Sequence, residues 1–159
     1  MRELPMNRLS PKALSVFRIN AAISSGILFI IFVALTVLIF IFDWPKWIIP
    51  ILAVILIIYI ALMVMYVPKV RLKMWRYEVN QHEIELQYGV FVIKRILIPM
   101  VRVQHVDTSQ GPILRKYNLA TVTISSAATE HEIPALEEDE ADQLRNYISQ
   151  LAREAKEDV

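Results

Sequence analysis

The chain has 159 residues, 55% of them hydrophobic, and a formal net charge of +1. So small a charge leaves no electrostatic footprint for nucleic acid. There is no cysteine, which excludes disulfides, thiolate catalysis and cysteine-ligated metals.

Residues 1–18 form a basic leader, with Arg2, Arg8, Lys12 and Arg18 against the acid Glu3. Ser10-Pro11 has the form of a helix start, the serine capping and the proline at the first helical position. A short amphipathic helix would use Val16, Phe17 and Ile19 as its apolar side. That side is short, so a solvated cytoplasmic leader that only sets orientation is the favoured reading.

Residues 19–68 organise everything else. Residues 19–42 carry no charge, and neither do residues 47–68; between them stand only Asp43, Trp44, Pro45 and Lys46. A bilayer core about 30 Å thick needs roughly 20 apolar residues in a helix, and each run supplies them. Neither run shows the polar stripe of a soluble core helix. The pattern predicts a transmembrane helical hairpin. The first run is too long for a signal peptide and is followed at once by a second span. Trp44 and Trp47 suit the headgroup level, where an indole buries its ring and keeps its N–H wet. Ser24, Ser25 and Gly26 are small enough to let another helix approach closely in lipid.

Basic residues flank both outer ends of the hairpin, with Lys69, Arg71, Lys73 and Arg76 following the second span. Positive-inside counting therefore predicts a multi-pass protein of the cell membrane with both termini in the cytoplasm. The same four residues are the predicted membrane-surface contact. Each cation near anionic lipid headgroups contributes about 1 kcal/mol.

From residue 69 to 159 the sequence reads as one small cytoplasmic domain. Trp75, Tyr77 and Val79 alternate with Arg76 and Glu78, and Ile84, Leu86 and Tyr88 alternate with Glu83, Glu85 and Gln87. Period two predicts two strands, each with one buried face, joined at Asn80-Gln81-His82. Gly89 permits a tight turn at positive φ. Residues 90–98 read as a third strand, apolar but carrying Lys94 and Arg95, and ended by Pro99. Residues 101–107 read as a fourth. Gly111, Pro112 and Asn118 mark a loop, a helical turn and a left-handed end. Residues 119–126 and 129–133 supply two more strands. A closing helix is expected over residues 135–156, its start crowded with Glu137, Glu138, Asp139 and Glu140 and its apolar face made by Leu144, Ile148, Leu151 and Ala155. The fold class is α+β: a bent antiparallel sheet plugged by a C-terminal helix.

Reactive chemistry is not evident. Three glycines leave no phosphate loop. His82, His105 and His131 fall on three separate segments. The acidic run of residues 137–140 has the form of a charged helix start rather than a calcium loop, which needs spaced oxygen ligands and a turn glycine. Arg102, Asp107, Arg115 and Lys116 read as a solvated rim. No cofactor, metal or catalytic residue is predicted.

The succession Ile98-Pro99-Met100-Val101-Arg102-Val103-Gln104-His105-Val106-Asp107, then Gln110-Gly111-Pro112-Ile113-Leu114-Arg115, then Leu119-Ala120-Thr121-Val122-Thr123-Ile124 with Ser126-Ala127, resembles the bacterial PH-domain family of YdbS-like membrane proteins. The strand pair of residues 75–88 and the two preceding spans match the same layout. The resemblance implies a PH-like fold tethered by two helices and a larger YdbT-like membrane protein as partner. It also implies a link to tolerance of membrane-active peptides. One departure matters: the first strand turn is Asn80-Gln81-His82-Glu83, without the cations that bind inositol phosphates, so the resemblance does not carry that ligand.

The function expected is a non-enzymatic, membrane-anchored binding or scaffold subunit in envelope protection, with self-association as a further option. An accessory subunit of a transport or efflux system is the alternative. It is weakened by spans without an acid or base along a pathway.

Overall fold

In the computed structural model, which describes residues 4–157, the chain separates into two compact units. One is Phe17–Lys69; the other is Val70–Val159 together with the chain up to Val16. Arg2 and Glu3 of the leader lie outside the described residues.

The first unit is a helical hairpin. Helix α1 runs over Ala13–Ile41 and α2 over Ile48–Ala61. Both α1 and the continuous helical stretch Ile48–Met74 are long and apolar enough to cross a membrane. At 1.5 Å per residue the shorter of the two is about 40 Å long, more than a bilayer core requires. Helix α1 ends because Asp43 turns left-handed, at φ 51°. The Trp44 amide then donates back to the Ile39 carbonyl at 3.0 Å, closing the first unit's tight turn. Lys46 lies 5.5 Å from the Phe40 ring centroid, so the cation of the break has an aromatic face under it.

Pro68 does not end the second helix as its sequence position implies. A π-helical turn, Leu62–Tyr66, precedes it, and the helix resumes as α3 over Val67–Met74. A proline ring would press on the carbonyl four residues earlier and cannot donate to it. The widened turn accommodates this, and the Val67 amide reaches the Leu62 carbonyl instead.

The second unit has two antiparallel sheets. The four-stranded sheet has the order β1 (Asn7–Arg8), β2 (Arg76–Val79), β3 (Glu83–Tyr88), β4 (Lys94–Pro99). The three-stranded sheet has the order β5 (Val103–Ser109), β6 (Leu119–Ser126), β7 (Glu130–Glu137). A 3-10 turn, Met100–Arg102, joins them, and helix α4 (Pro112–Lys116) links β5 to β6. Asn118 ends α4 at φ 54°, the left-handed position expected of it. Helix α5 (Glu138–Glu157) packs on β5, β6, β7 and the 3-10 turn. Ile148 is completely buried, Leu151 and Ala152 nearly so, and Val103, Val122, Ile124 and Ile133 of the strands are buried as well.

Several expectations need correction. The leader is not merely solvated: Asn7 pairs with Tyr77 and Arg8 with Arg76. Leu9, Ala13 and Val16 are buried. Two residues of strand and three apolar side chains give it enough area to dock. The third strand begins at Lys94 rather than at residue 90, because the chain after Gly89 loops outward. The fourth begins at Val103 rather than at residue 101, after the 3-10 turn. The sixth runs on to Glu137, bent where its register with β6 shifts and where Ala135 takes φ 53°. Glu85 and Gln87, which period two assigns to an outer face, are both only 6% exposed. Strand β3 is interior to its sheet, and the Arg95 Nε donates to Glu85 from the neighbouring strand.

Candidate functional site

Three surface features bear on function. The first is a groove of about 660 Å³ where the two sheets part. Its floor and walls come from the β4–β5 connection and the β6–β7 turn, with Leu97, Val101, Arg102, Thr129, His131 and Lys156 among the lining residues. Leu97 and Val101 are each 45% exposed and give the groove apolar wall. Arg102 and Lys156 put two cations at its border. Thr129 Oγ1 and His131 Nε2 are 3.0 Å apart, which fixes the imidazole on the far wall. Ser126 holds the turn by accepting from the Thr129 amide at 3.2 Å and donating to the Thr129 carbonyl at 2.9 Å. Beside the groove, β4 is the last strand of its sheet. An outer strand edge next to an apolar groove with basic borders suits an extended peptide or a partner strand.

The second feature is the basic segment after the second span. Lys69, Arg71 and Lys73 lie on α3 and Arg76 opens β2. Lys69 and Lys73 are one helical turn apart and share a face. Arg71 points elsewhere. It lines a cleft of about 450 Å³ with Trp75, Tyr88, Glu130, His131 and Glu132. The Trp75 and Tyr88 rings stack there, with centroids 5.6 Å apart. Of the four cations, Lys69 and Lys73 share an exposed helix face, and Arg71 lines a mixed-charge aromatic cleft.

The third feature was not visible as such in the sequence. Phe91, Val92 and Ile93 form an exposed apolar tip between β3 and β4. Their residue types fit a buried strand, and only the glycine before them signalled a turn.

Ser24, Ser25 and Gly26 are not equivalent either. Ser25 is buried, its hydroxyl donating to the Ala21 carbonyl at 2.8 Å. Ser24 is exposed and back-bonds to the Asn20 carbonyl at 3.1 Å. A Cβ on Gly26 would meet nothing within 4 Å. Among the described residues no cluster of His, Asp or Glu has the makings of a metal site. His105 lies 2.9 Å from Asp107 on an exposed strand, with neither buried.

Comparison with known proteins bears on the whole chain. Residues 15–152 match the family described as Bacterial PH domain, so the match takes in the hairpin as well as the sheets. The chain is 54% identical over 159 residues to the UPF0699 transmembrane protein YdbS of Bacillus subtilis (strain 168), covering 100% of both. No solved structure matches.

Proposed function

The chain belongs to the bacterial PH domain family, and from that premise we propose that it is a non-catalytic, membrane-anchored scaffold subunit that binds a larger YdbT-like membrane protein in an envelope-protection assembly. Tolerance of membrane-active peptides is the physiological setting this reading favours. The observation that carries it is the open outer edge of β4 beside the groove bordered by Arg102 and Lys156. Strand edges left open in a folded domain invite aggregation unless guarded, and Lys94 and Arg95 guard this one while leaving a chosen partner strand admissible. In the hairpin, Ser24 and Gly26 present a small exposed surface for a partner helix.

Both termini lie in the cytoplasm in this reading, because cations flank both outer ends of the hairpin and the break holds only Lys46. Lys69 and Lys73 then meet anionic headgroups from the cytoplasmic side.

The test is purification from native membranes in mild detergent, with cross-linking before extraction. A YdbT-like protein should accompany the chain. Replacing Ser24 and Gly26 with leucine should weaken the association while insertion is unchanged, and Leu97→Asp in β4 should weaken it independently. A chain that runs alone in both experiments, with its genetic neighbours expressed, defeats the scaffold reading. Reporter fusions at either terminus that score outside the cytoplasm defeat the topology.

A further inference from the structure

Three consecutive apolar side chains stand out at one end of the four-stranded sheet. Phe91 is 88% exposed, Val92 71% and Ile93 56%. Scattered apolar residues on a surface need no explanation, but three in succession at the tip of a turn do. The turn is a built feature. Gly89 has φ 133°, and the Val92 carbonyl oxygen comes to 2.0 Å from where a Cβ on Gly89 would stand. The backbone folds back onto the glycine and pushes the three side chains outward. Lys94 and Arg95 follow at once, both exposed.

The strand register says which end of the sheet this is. Arg76 opposes Gln87, and Tyr88 opposes Lys94. The tip therefore leaves the sheet at the end where α3 passes into β2, and the Trp75–Tyr88 stack lies beside it. Arg8 opposes Arg76 in β1, so the chain also departs toward α1 from this end. The polar turn Asn80-Gln81-His82 is at the other end. Both connections to the membrane helices and the apolar tip share one end of the sheet.

We propose that Phe91, Val92 and Ile93 insert into the headgroup layer of the bilayer that holds the hairpin, with Lys94 beside them on anionic lipid phosphate. Residues 69–75 are the whole connection between the second span and β2, about 9 Å of it helical rise over residues 69–74, so this end of the sheet is held on a short covalent tether to the bilayer. Aromatic and branched apolar side chains next to cations suit the interface between acyl chains and phosphates. The covalent tether matters too. A shallow tip on a free domain would hold a membrane only weakly, but here the encounter is intramolecular and its entropy cost has already been met. Insertion would set the orientation of the domain, and with it the direction in which the β4 edge faces.

The absence of native cysteine makes the test direct. Val92→Cys and, at the opposite turn, Gln81→Cys are labelled with an environment-sensitive nitrobenzoxadiazole dye in the full chain. Each is reconstituted into vesicles of phosphatidylethanolamine and phosphatidylglycerol. The label at position 92 should show a blue-shifted emission, quenching by lipids with a nitroxide near the headgroup, and several-fold less quenching by aqueous iodide than the label at position 81. Adding Phe91→Ser and Ile93→Ser should return it to the aqueous signature. Equal iodide access at both positions overturns the proposal. A label shielded in native membranes but exposed in pure lipid also overturns it, because the tip would then be a protein-docking surface.

Discussion

The Ser10 hydroxyl donates to Glu137 Oε1 at 2.8 Å across 127 positions of sequence. Lys12 Nζ reaches the other oxygen of the same carboxylate at 3.1 Å. Glu137 closes β7 where α5 begins, so this contact fastens the start of the chain to the junction of its last strand and last helix. Ser10 also accepts from the Lys12 amide at 3.3 Å, the capping role its place before Pro11 implied. The leader is thereby part of the domain, and a fragment beginning at residue 70 should melt lower than one in which residues 4–16 are joined to it by a flexible linker.

This contact has a pH signature. The hydrogen bond from Ser10, then that from Lys12, holds the Glu137 carboxyl below its ordinary value. A depressed folded-state pKa gives stability that is present above the unfolded value of about 4.3 and is lost as pH falls through the folded one. Glu137→Gln should therefore lower the Tm of the detergent-solubilised chain at neutral pH. The difference from the parent should hold steady down to the ordinary carboxylate range and shrink below it. A difference that grows on acidification would contradict the assignment. Because the pair is exposed, added salt should also reduce it.

Tyr77 gives the opposite sign. Burial first, then the hydrogen bond to Glu140 at 2.6 Å and that residue's charge, raise its phenol well above the ordinary tyrosine value. A raised folded-state pKa contributes stability below about 10 and loses it as pH climbs from there toward the folded value. Tyr77→Phe should cost about 1 kcal/mol at neutral pH, the net worth of one hydrogen bond. It should also flatten the alkaline limb of a Tm profile. An alkaline limb identical in parent and variant would show that Tyr77 does not control it.

In α5, Ile148 is fully buried while Leu144 is left partly exposed. Ile148→Ala should cost about 2–5 kcal/mol and Leu144→Ala clearly less, by chemical or thermal melting of the solubilised protein. Equal losses would mean the helix is rotated relative to the sheet.

The hairpin was legible because a bilayer imposes a length and forbids charge, and both constraints are written linearly in residues 19–68. The amphipathic face of α5 was legible for a similar reason, since Ile148 and Leu151 fall on one helical stripe. What escaped depends on contacts distant in sequence. Asn7 and Arg8 are two polar residues whose strand character exists only through Tyr77 and Arg76. Glu85 and Gln87 alternate as an outer face should, yet the strands on either side of β3 and the Arg95 guanidinium cover them. The groove between Leu97 and Thr129 is made by two connections that no local period brings together. In the tip, Val92 and Ile93 have strand-forming side chains, so propensity and exposure point in opposite directions there.

Gly89 offers the sharpest test of that tip. A turn at positive φ was expected of it, and φ is 133°. Beyond Gly89 the chain does not extend as a strand but returns onto the glycine itself. An added Cβ would lie 2.0 Å from the Val92 carbonyl oxygen, 2.9 Å from its carbon and 3.1 Å from the Ile93 Cα. All three are backbone atoms, so no side chain can swing aside to make room. Gly89→Ala therefore combines a disfavoured φ with a steric clash, and a loss of about 1–3 kcal/mol is expected from strain of this kind. The relief available is to open the turn between Tyr88 and Lys94, which would disturb their pairing at the mouth of the β3–β4 hairpin. Hydrogen exchange should show this locally, with faster exchange at the ends of β3 and β4 and unchanged protection in β5, β6 and α5. A melting temperature equal to the parent's, with exchange undisturbed, would mean that the turn does not fold back on Gly89.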